Sequence, residues 1–360
     1  MTRWAVVLAG GVGSRFWPVS TPQRPKQLLP LIGDAPLLSE TVERFAPLVA
    51  PEQTLILTNA TLADAVARLL PSVPRANIIA EPRPAGTAAA LAWAASEVAL
   101  RDTPESVMLC VHADWAIADP AAFRGTLSRA ADVAERERSL VTVGVVPSRP
   151  DPGFGYIEPG ALLAGDGVAR RVARFVEKPD RTSAERMVRD GYLWNSGIFV
   201  WRAIDLLDEI RARTPEVAEA LAVHATGRDR DLTRFFAEVR PISVDHGVLE
   251  RSERVLVLPG DFGWDDVGTW AALHRVRERD ADGNAASGGA VLVESRDNVV
   301  FASASGTKVV LYGVTDLVVV ASQGLTLVTT RERAVDLKTL LDALPAELRE
   351  GTRMTGGERG

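Results

Sequence analysis

The most constraining stretch of the chain is its beginning. Trp4-Ala5-Val6-Val7-Leu8 is apolar without alternation, and Ala9-Gly10-Gly11-Val12-Gly13-Ser14-Arg15-Phe16-Trp17-Pro18 follows at once. An apolar run with no polar face suits a strand covered on both sides, as inside a parallel sheet flanked by helices. A glycine-rich turn leaving such a strand lets consecutive backbone N–H groups close on an anion, because glycine has no Cβ to hold a phosphate away. The opening therefore predicts an α/β fold with a phosphate site at the end of its first strand.

Two common phosphate loops do not fit this spacing. A nucleotide-hydrolase loop ends in Gly-Lys-Ser/Thr, whereas Gly13 is followed by Ser14-Arg15. A dinucleotide fingerprint placed on Gly11 and Gly13 needs a third glycine where Phe16 stands. What remains is a glycine turn backed by Arg15 and, within Pro25-Lys26-Gln27, by Lys26. A bidentate guanidinium and a point-charge ammonium together suit a polyphosphate whose charge shifts during reaction.

Downstream, apolar runs at 54–58, 77–80, 107–111 and 140–145 alternate with helical periodicity over 37–46, 62–70, 87–100 and 120–138, which predicts βαβ units and a doubly wound sheet. From Asp280 the texture changes to short β-rich runs separated by Gly, Ser and Asn turns, ending in a helix over 333–344. The expected organisation is a catalytic domain at 1–280, a β-rich domain at 281–345 and a flexible tail at 346–360. A formal charge of −6 argues against a general nucleic-acid binder, so the cationic grip is a local pocket. A single cysteine, Cys110, excludes an internal disulfide and a cysteine-cluster metal site. No secretory signal and no run long enough for a bilayer is found, so no membrane partner and a cytoplasmic location are expected.

Gly-Gly-x-Gly-Ser-Arg-x-Trp-Pro with Pro-Lys-Gln downstream resembles the signature of the sugar-1-phosphate nucleotidyltransferases. The resemblance spans about residues 4–344. It implies a Rossmann-like doubly wound mixed sheet with a small C-terminal, left-handed β-helix-like domain, often used to dimerise, and hence a homodimer. The tryptophan wording within that family implies GTP and mannose 1-phosphate as substrates and Mg²⁺ as cofactor. The same chemistry on UTP or dTTP with glucose 1-phosphate, and a regulatory subunit that binds a nucleotide sugar without turnover, are the alternatives.

Matching positions imply roles residue by residue. Leu8, Ala9, Gly10, Gly11, Gly13, Ser14, Arg15 and Lys26 match the nucleotide loop, and Glu81 and Thr87 match the base-contacting turn, in which Gly86 is also taken as nucleotide-binding. Asp114, after the strand at 107–111, and Asp266, in Trp264-Asp265-Asp266-Val267-Gly268, match the two metal carboxylates, Asp114 also lying against the nucleotide. Gly155 of Phe-Gly-Tyr-Ile, Glu177 and Lys178 of Val-Glu-Lys-Pro, Asn195 of Asn-Ser-Gly, and Asp245 and Glu250 match the sugar-phosphate elements. Arg15, Lys26, Asp114, Lys178 and Asp266 form the expected catalytic set. Read alone, several of these have plainer uses: Gly86-Thr87 and Asp265-Asp266 as helix caps, Asp114 as a turn residue, Glu177-Lys178 as a solvated pair. The chain departs from the family wording at Ala85-Gly86, His112, Trp115, His246 and Gly247.

Overall fold

The computed structural model describes residues 1–11, 14–225, 230–303, 307–322 and 324–349, with Ser14 described by its backbone alone. Gly13 thus lies outside the described residues. The chain forms two compact units. One holds 1–10, 39–113 and 117–264; the other holds 11–38, 114–116 and the chain from 265 onward.

The first unit is built on nine strands: β1 (Arg3–Leu8), β2 (Thr54–Asn59), β3 (Ile78–Glu81), β4 (Val107–His112), β5 (Leu140–Val145), β6 (Tyr156–Leu162), β7 (Arg170–Val176), β8 (Leu193–Arg202) and β9 (Val255–Gly260). Their order is β3-β2-β1-β4-β8-β5-β9-β7-β6. β1 pairs parallel with β2 and β4, and β5 with β9, while β8 runs antiparallel between β4 and β5. The sheet is mixed, as expected. Its helices are α1 (Leu37–Phe45, begun in the other unit), α2 (Ala63–Leu69), α3 (Thr87–Arg101), α4 (Pro120–Glu137), α5 (Arg181–Arg189), α6 (Ala203–Arg213), α7 (Pro215–His224) and α8 (Leu232–Glu238). α3 is apolar nearly all round and buried from Ala88 to Val98, the signature of a helix inside a core rather than on a surface. Trp93 on it packs 5.4 Å from Phe235 of α8.

The order of the first four strands decides where a ligand goes. From β1 the chain steps outward through β2 to β3, then returns to place β4 on the other side of β1. Open α/β sheets bind ligands beyond the carboxyl ends of strands at such a reversal. Gly10 leaves the end of β1, and Asp114 leaves the end of β4, where Ala113 N donates to Leu8 O at 3.0 Å.

The second unit gathers its core from both ends of the sequence. Phe16, Leu29, Leu31 and Leu37 pack with Val267, Trp270 and Leu273 and with Val299, Phe301, Val318 and Leu327. Trp270 is the hub. It lies edge-on to Phe16 at 5.0 Å, 5.2 Å from Phe301, and its Nε1 donates to Trp17 O at 2.9 Å. The β-rich segment contains β10 (Ala285–Ser287), β11 (Gly289–Val293), β12 (Val299–Ala302), β13 (Lys308–Tyr312), β14 (Leu317–Ser322) and β15 (Leu325–Thr330). β10, β12 and β14 pair in parallel, β15 closes antiparallel on β14, and β11 pairs parallel with β13. The closing helix, α10, is shorter than expected at Leu337–Ala343, after α9 at Trp270–Val276. Of the segment 346–360, residues Ala346–Arg349 make a helical turn and the rest lie outside the described residues.

Candidate active site

In the second unit the predicted cations and carboxylates come together. Lys26 opens a 3₁₀ turn, Lys26–Leu28, and its ammonium has three oxygen partners: Asp114 Oδ2 at 3.0 Å, Asp266 O at 3.1 Å and Val267 O at 3.4 Å. Those carbonyls are aimed by an unusual turn. Val267 is β-branched yet sits at φ +48°, a strained conformation that a buried side chain and the Gly268 N–H to Asp266 Oδ1 bond (3.0 Å) hold in place. A Cβ on Gly268 would press on both Asp266 carboxylate oxygens and on Arg15 Nη1, at 3.0, 3.2 and 3.4 Å. The Arg15 guanidinium therefore reaches the same spot as the Asp266 carboxylate. Burial first, and then the like charges of Asp265 and Asp114, raise the Asp266 pKa above the usual carboxylate range, while Lys26 draws it down.

Asp265 and Asp266 are neighbours with different work. Asp265 is buried and bonded twice by Arg275, at 3.0 and 3.1 Å, and Oδ1 also accepts from Val267 N at 3.1 Å. Its carboxylate is committed to the turn. Gln27, quoted in the sequence motif without a role, is buried and donates from Nε2 to Gly11 O at 2.8 Å, fixing the glycine turn. Gly10 and Gly11 are themselves exposed, and a Cβ on either would meet nothing within 4 Å. Among the described residues nothing crowds either position, which leaves room for a ligand.

In the first unit, Glu81 ends β3, and burial pushes its pKa up to about 7. Gly86 has φ +81°, and a side chain there would collide with the Ile242 carbonyl. Thr87 Oγ1 accepts from Val244 N at 2.8 Å. The turn expected at a nucleotide base is thus also the clasp that holds the 242–250 segment.

The sugar elements also meet within that unit. Asn195 N donates to Gly155 O at 2.8 Å, and Asn195 Nδ2 donates to Asp245 Oδ1 at 2.8 Å. A Cβ on Gly155 would lie 2.9 Å from Glu177 Oε2 and 3.4 Å from Asn195 Cβ. The β5–β8 register shifts at Asn195, and Ser196 Oγ anchors the irregularity on Val143 O at 2.6 Å. Because Asp245 only accepts, Nδ2 is the donor and Asn195 Oδ1 is buried with no partner among the described residues. Lys178, at φ +43°, lies 3.2 Å from Glu177 Oε1. Glu250 is held by His246 Nδ1 at 2.8 Å, a partner that sequence reasoning left out.

A reversal in a doubly wound sheet, together with a cleared glycine turn and clustered carboxylates and cations, defines an enzyme that moves phosphoryl-linked nucleotides. The chain belongs to the nucleotidyl transferase family, whose sequence profile matches residues 4–283. It is 38% identical to the mannose-1-phosphate guanylyltransferase of Escherichia coli (strain K12), over 98% of this chain and 75% of that protein. It is 36% identical to the xanthan biosynthesis protein XanB of Xanthomonas campestris pv. campestris (strain B100), over 94% and 72%. Among solved structures it resembles mannose-1-phosphate geranyltransferase from Thermus thermophilus, with a TM-score of 0.85, 35% identity, and 95% and 99% of the two chains covered.

Proposed function

We propose that this enzyme transfers GMP from GTP to α-D-mannose 1-phosphate, releasing pyrophosphate and giving GDP-mannose; in a word, a mannose-1-phosphate guanylyltransferase. The observation that supports it most is the Lys26 ammonium lodged among the Asp114 carboxylate and the Asp266–Val267 carbonyls. A phosphate oxygen of the sugar 1-phosphate attacks the α-phosphorus in line, so two anions must meet, and catalysis rests on positioning and charge with little proton transfer. Arg15 and Lys26 steady the triphosphate and the departing pyrophosphate, with Gly10 and Gly11 beyond β1 offering backbone N–H groups. Glu81 accepts from the base, with Gly86 and Thr87 shaping its turn. Lys178 neutralises the 1-phosphate. Glu177 and the unpartnered Asn195 Oδ1 accept from sugar hydroxyls, in a pocket that Gly155 keeps open and Asp245 and Glu250 complete.

The oxygen-only donor set suits a hard divalent ion, and the raised Asp266 pKa marks a place where a cation relieves desolvated like charges. Asp114 and Asp266 would hold Mg²⁺, which when bound neutralises charge on the reacting phosphate oxygens. We assign this chemistry to residues 1–280. We read the coil of 281–345 as a left-handed β-helix-like segment that pairs two copies. No helix among the described residues is long and apolar enough to cross a membrane. Both substrates are charged and membrane-impermeant, which favours the cytoplasm. The test is pyrophosphate release with four nucleoside triphosphates crossed against several sugar 1-phosphates. GTP with mannose 1-phosphate is expected to give the highest kcat/KM; preference for UTP or dTTP with glucose 1-phosphate overturns the assignment.

A further inference from the structure

His246 has no role in the reading above, although it interacts with Glu250, Asp245 and Glu177, three residues assigned there to the sugar phosphate. It lies on the irregular turn Asp245–Leu249, whose hydrogen bonds span five residues, so His246 follows the Asp245 that grips Asn195. Its backbone N–H donates to Ser243 Oγ at 3.2 Å, and its ring Nδ1 is joined to Glu250 Oε1 at 2.8 Å. The side chain is 56% exposed, so the imidazole is open to a ligand rather than packed into the core. Glu177 acts on it electrostatically from the segment after β7, as do Asp245 and Glu250 from its own turn. The same Glu177 lies against Gly155 and pairs with Lys178. Among these residues, the three carboxylates Glu177, Asp245 and Glu250 stand against one ammonium, that of Lys178, a surplus of negative charge where the proposed sugar phosphate dianion is received.

We infer that His246, oriented by Glu250, is a binding residue for the phosphate of the sugar 1-phosphate, supplying a second, proton-dependent cation beside Lys178. The inference rests on the functional reading above and deepens it. With Nδ1–H donated to the Glu250 carboxylate, Nε2 takes up the titrating proton and is a donor in the imidazolium form. The hydrogen bond to Glu250, followed by the charges of Glu250, Asp245 and Glu177, raises the imidazole pKa above its ordinary 6.5. The cation is therefore fully present below that ordinary value and is lost as pH rises through the raised one. Glu250 thereby assists the substrate through His246 as well as by any contact of its own.

The experiment is the pH dependence of KM for mannose 1-phosphate in the wild type and in His246→Gln, with KM for GTP and kcat measured in parallel. Taking the ratio of the two enzymes cancels the phosphate's own ionisation. His246→Gln is expected to raise KM for mannose 1-phosphate about fivefold near pH 6, as loss of one solvent-exposed charge contact would, and to leave kcat and KM for GTP within about twofold. The ratio should fall towards one at high pH, and Glu250→Gln should move that fall to lower pH. A ratio that stays flat across pH, or a loss shared equally by both substrates, overturns the inference while leaving the transferase reading intact. Absence of turnover with every sugar 1-phosphate removes both.

Discussion

At the level of single residues, the adjacent acids Asp265 and Asp266 illustrate how far sequence carries a site. The motif places Asp266 at the metal by resemblance, but only the fold shows Asp265 held by Arg275, ten residues later in the chain and on the next helix. That pairing depends on the strained turn at Val267, which residue type alone does not announce. Asp266→Asn and Lys26→Ala should each lower kcat on the order of 10²- to 10³-fold in pyrophosphate release, with little change in Tm, since the first removes a proposed metal carboxylate and the second a proposed phosphate-binding cation. Asp265→Asn should do the reverse, lowering Tm because it leaves Arg275 unpaired over a buried site. Glu81 offers a titration test. Its pKa is raised by burial to about 7, so the stability tied to its proton is complete below the ordinary 4.5 and is lost as pH rises through about 7. In the proposed contact, ionised Glu81 accepts from adjacent N–H donors of guanine, so KM for GTP should fall across that range. Glu81→Gln should abolish the fall and make the protein more stable than wild type at pH 8.

Elements were the most legible scale where a pattern was local. The strand at 107–112 and the helix at 120–137 appear almost at the expected bounds, because an apolar run or a capped helical stripe is decided by neighbours a few residues away. The antiparallel insertion of β8 between β4 and β5, the strand at 156–162 and the five-residue hydrogen-bonded turn at 245–249 were not legible, since each depends on partners far along the chain. Glycines show the same divide. The triplet after β1 reads as a phosphate turn, but Gly86 looks the same in sequence and is fixed by the approach of the Ile242 backbone. The two kinds separate experimentally. Gly11→Ala should keep its Tm, because its Cβ enters open space, and should raise KM for GTP at least tenfold by occupying ligand space. Gly86→Ala should instead cost about 1–3 kcal/mol of stability, from positive φ and collision together, read as a lowered Tm in the absence of substrates.

On the scale of the whole chain, the sequence announces a β-rich segment after 280, whereas its debt to the first forty residues is invisible without the fold. Phe16, Leu29 and Leu31 are buried against Trp270, and Trp270 is buried against Phe301, with Val318 and Leu327 in the same cluster. Hydrophobic periodicity marks each of these residues as internal but says nothing about which distant run completes the core. The turn that carries Arg15 and Lys26 is consequently seated on side chains contributed nearly three hundred residues later. Removing 281–360 would strip one wall from that core and expose Phe16 and Trp270, at a cost of several kcal/mol for buried aromatics that lose their partners. The truncated chain should therefore lose more than the pairing of two copies. Its GTP affinity, read by equilibrium dialysis, and its pyrophosphate release should both collapse, even at protein concentrations where light scattering finds the intact enzyme fully associated. Surface charges introduced on the exposed Val310 and Tyr312 of β13 should behave differently, dissociating the proposed homodimer while each copy keeps its triphosphate turn and its turnover. If the truncated chain bound GTP as the full chain does, the C-terminal coil would be an accessory to the transferase and not part of the seat on which its cations stand.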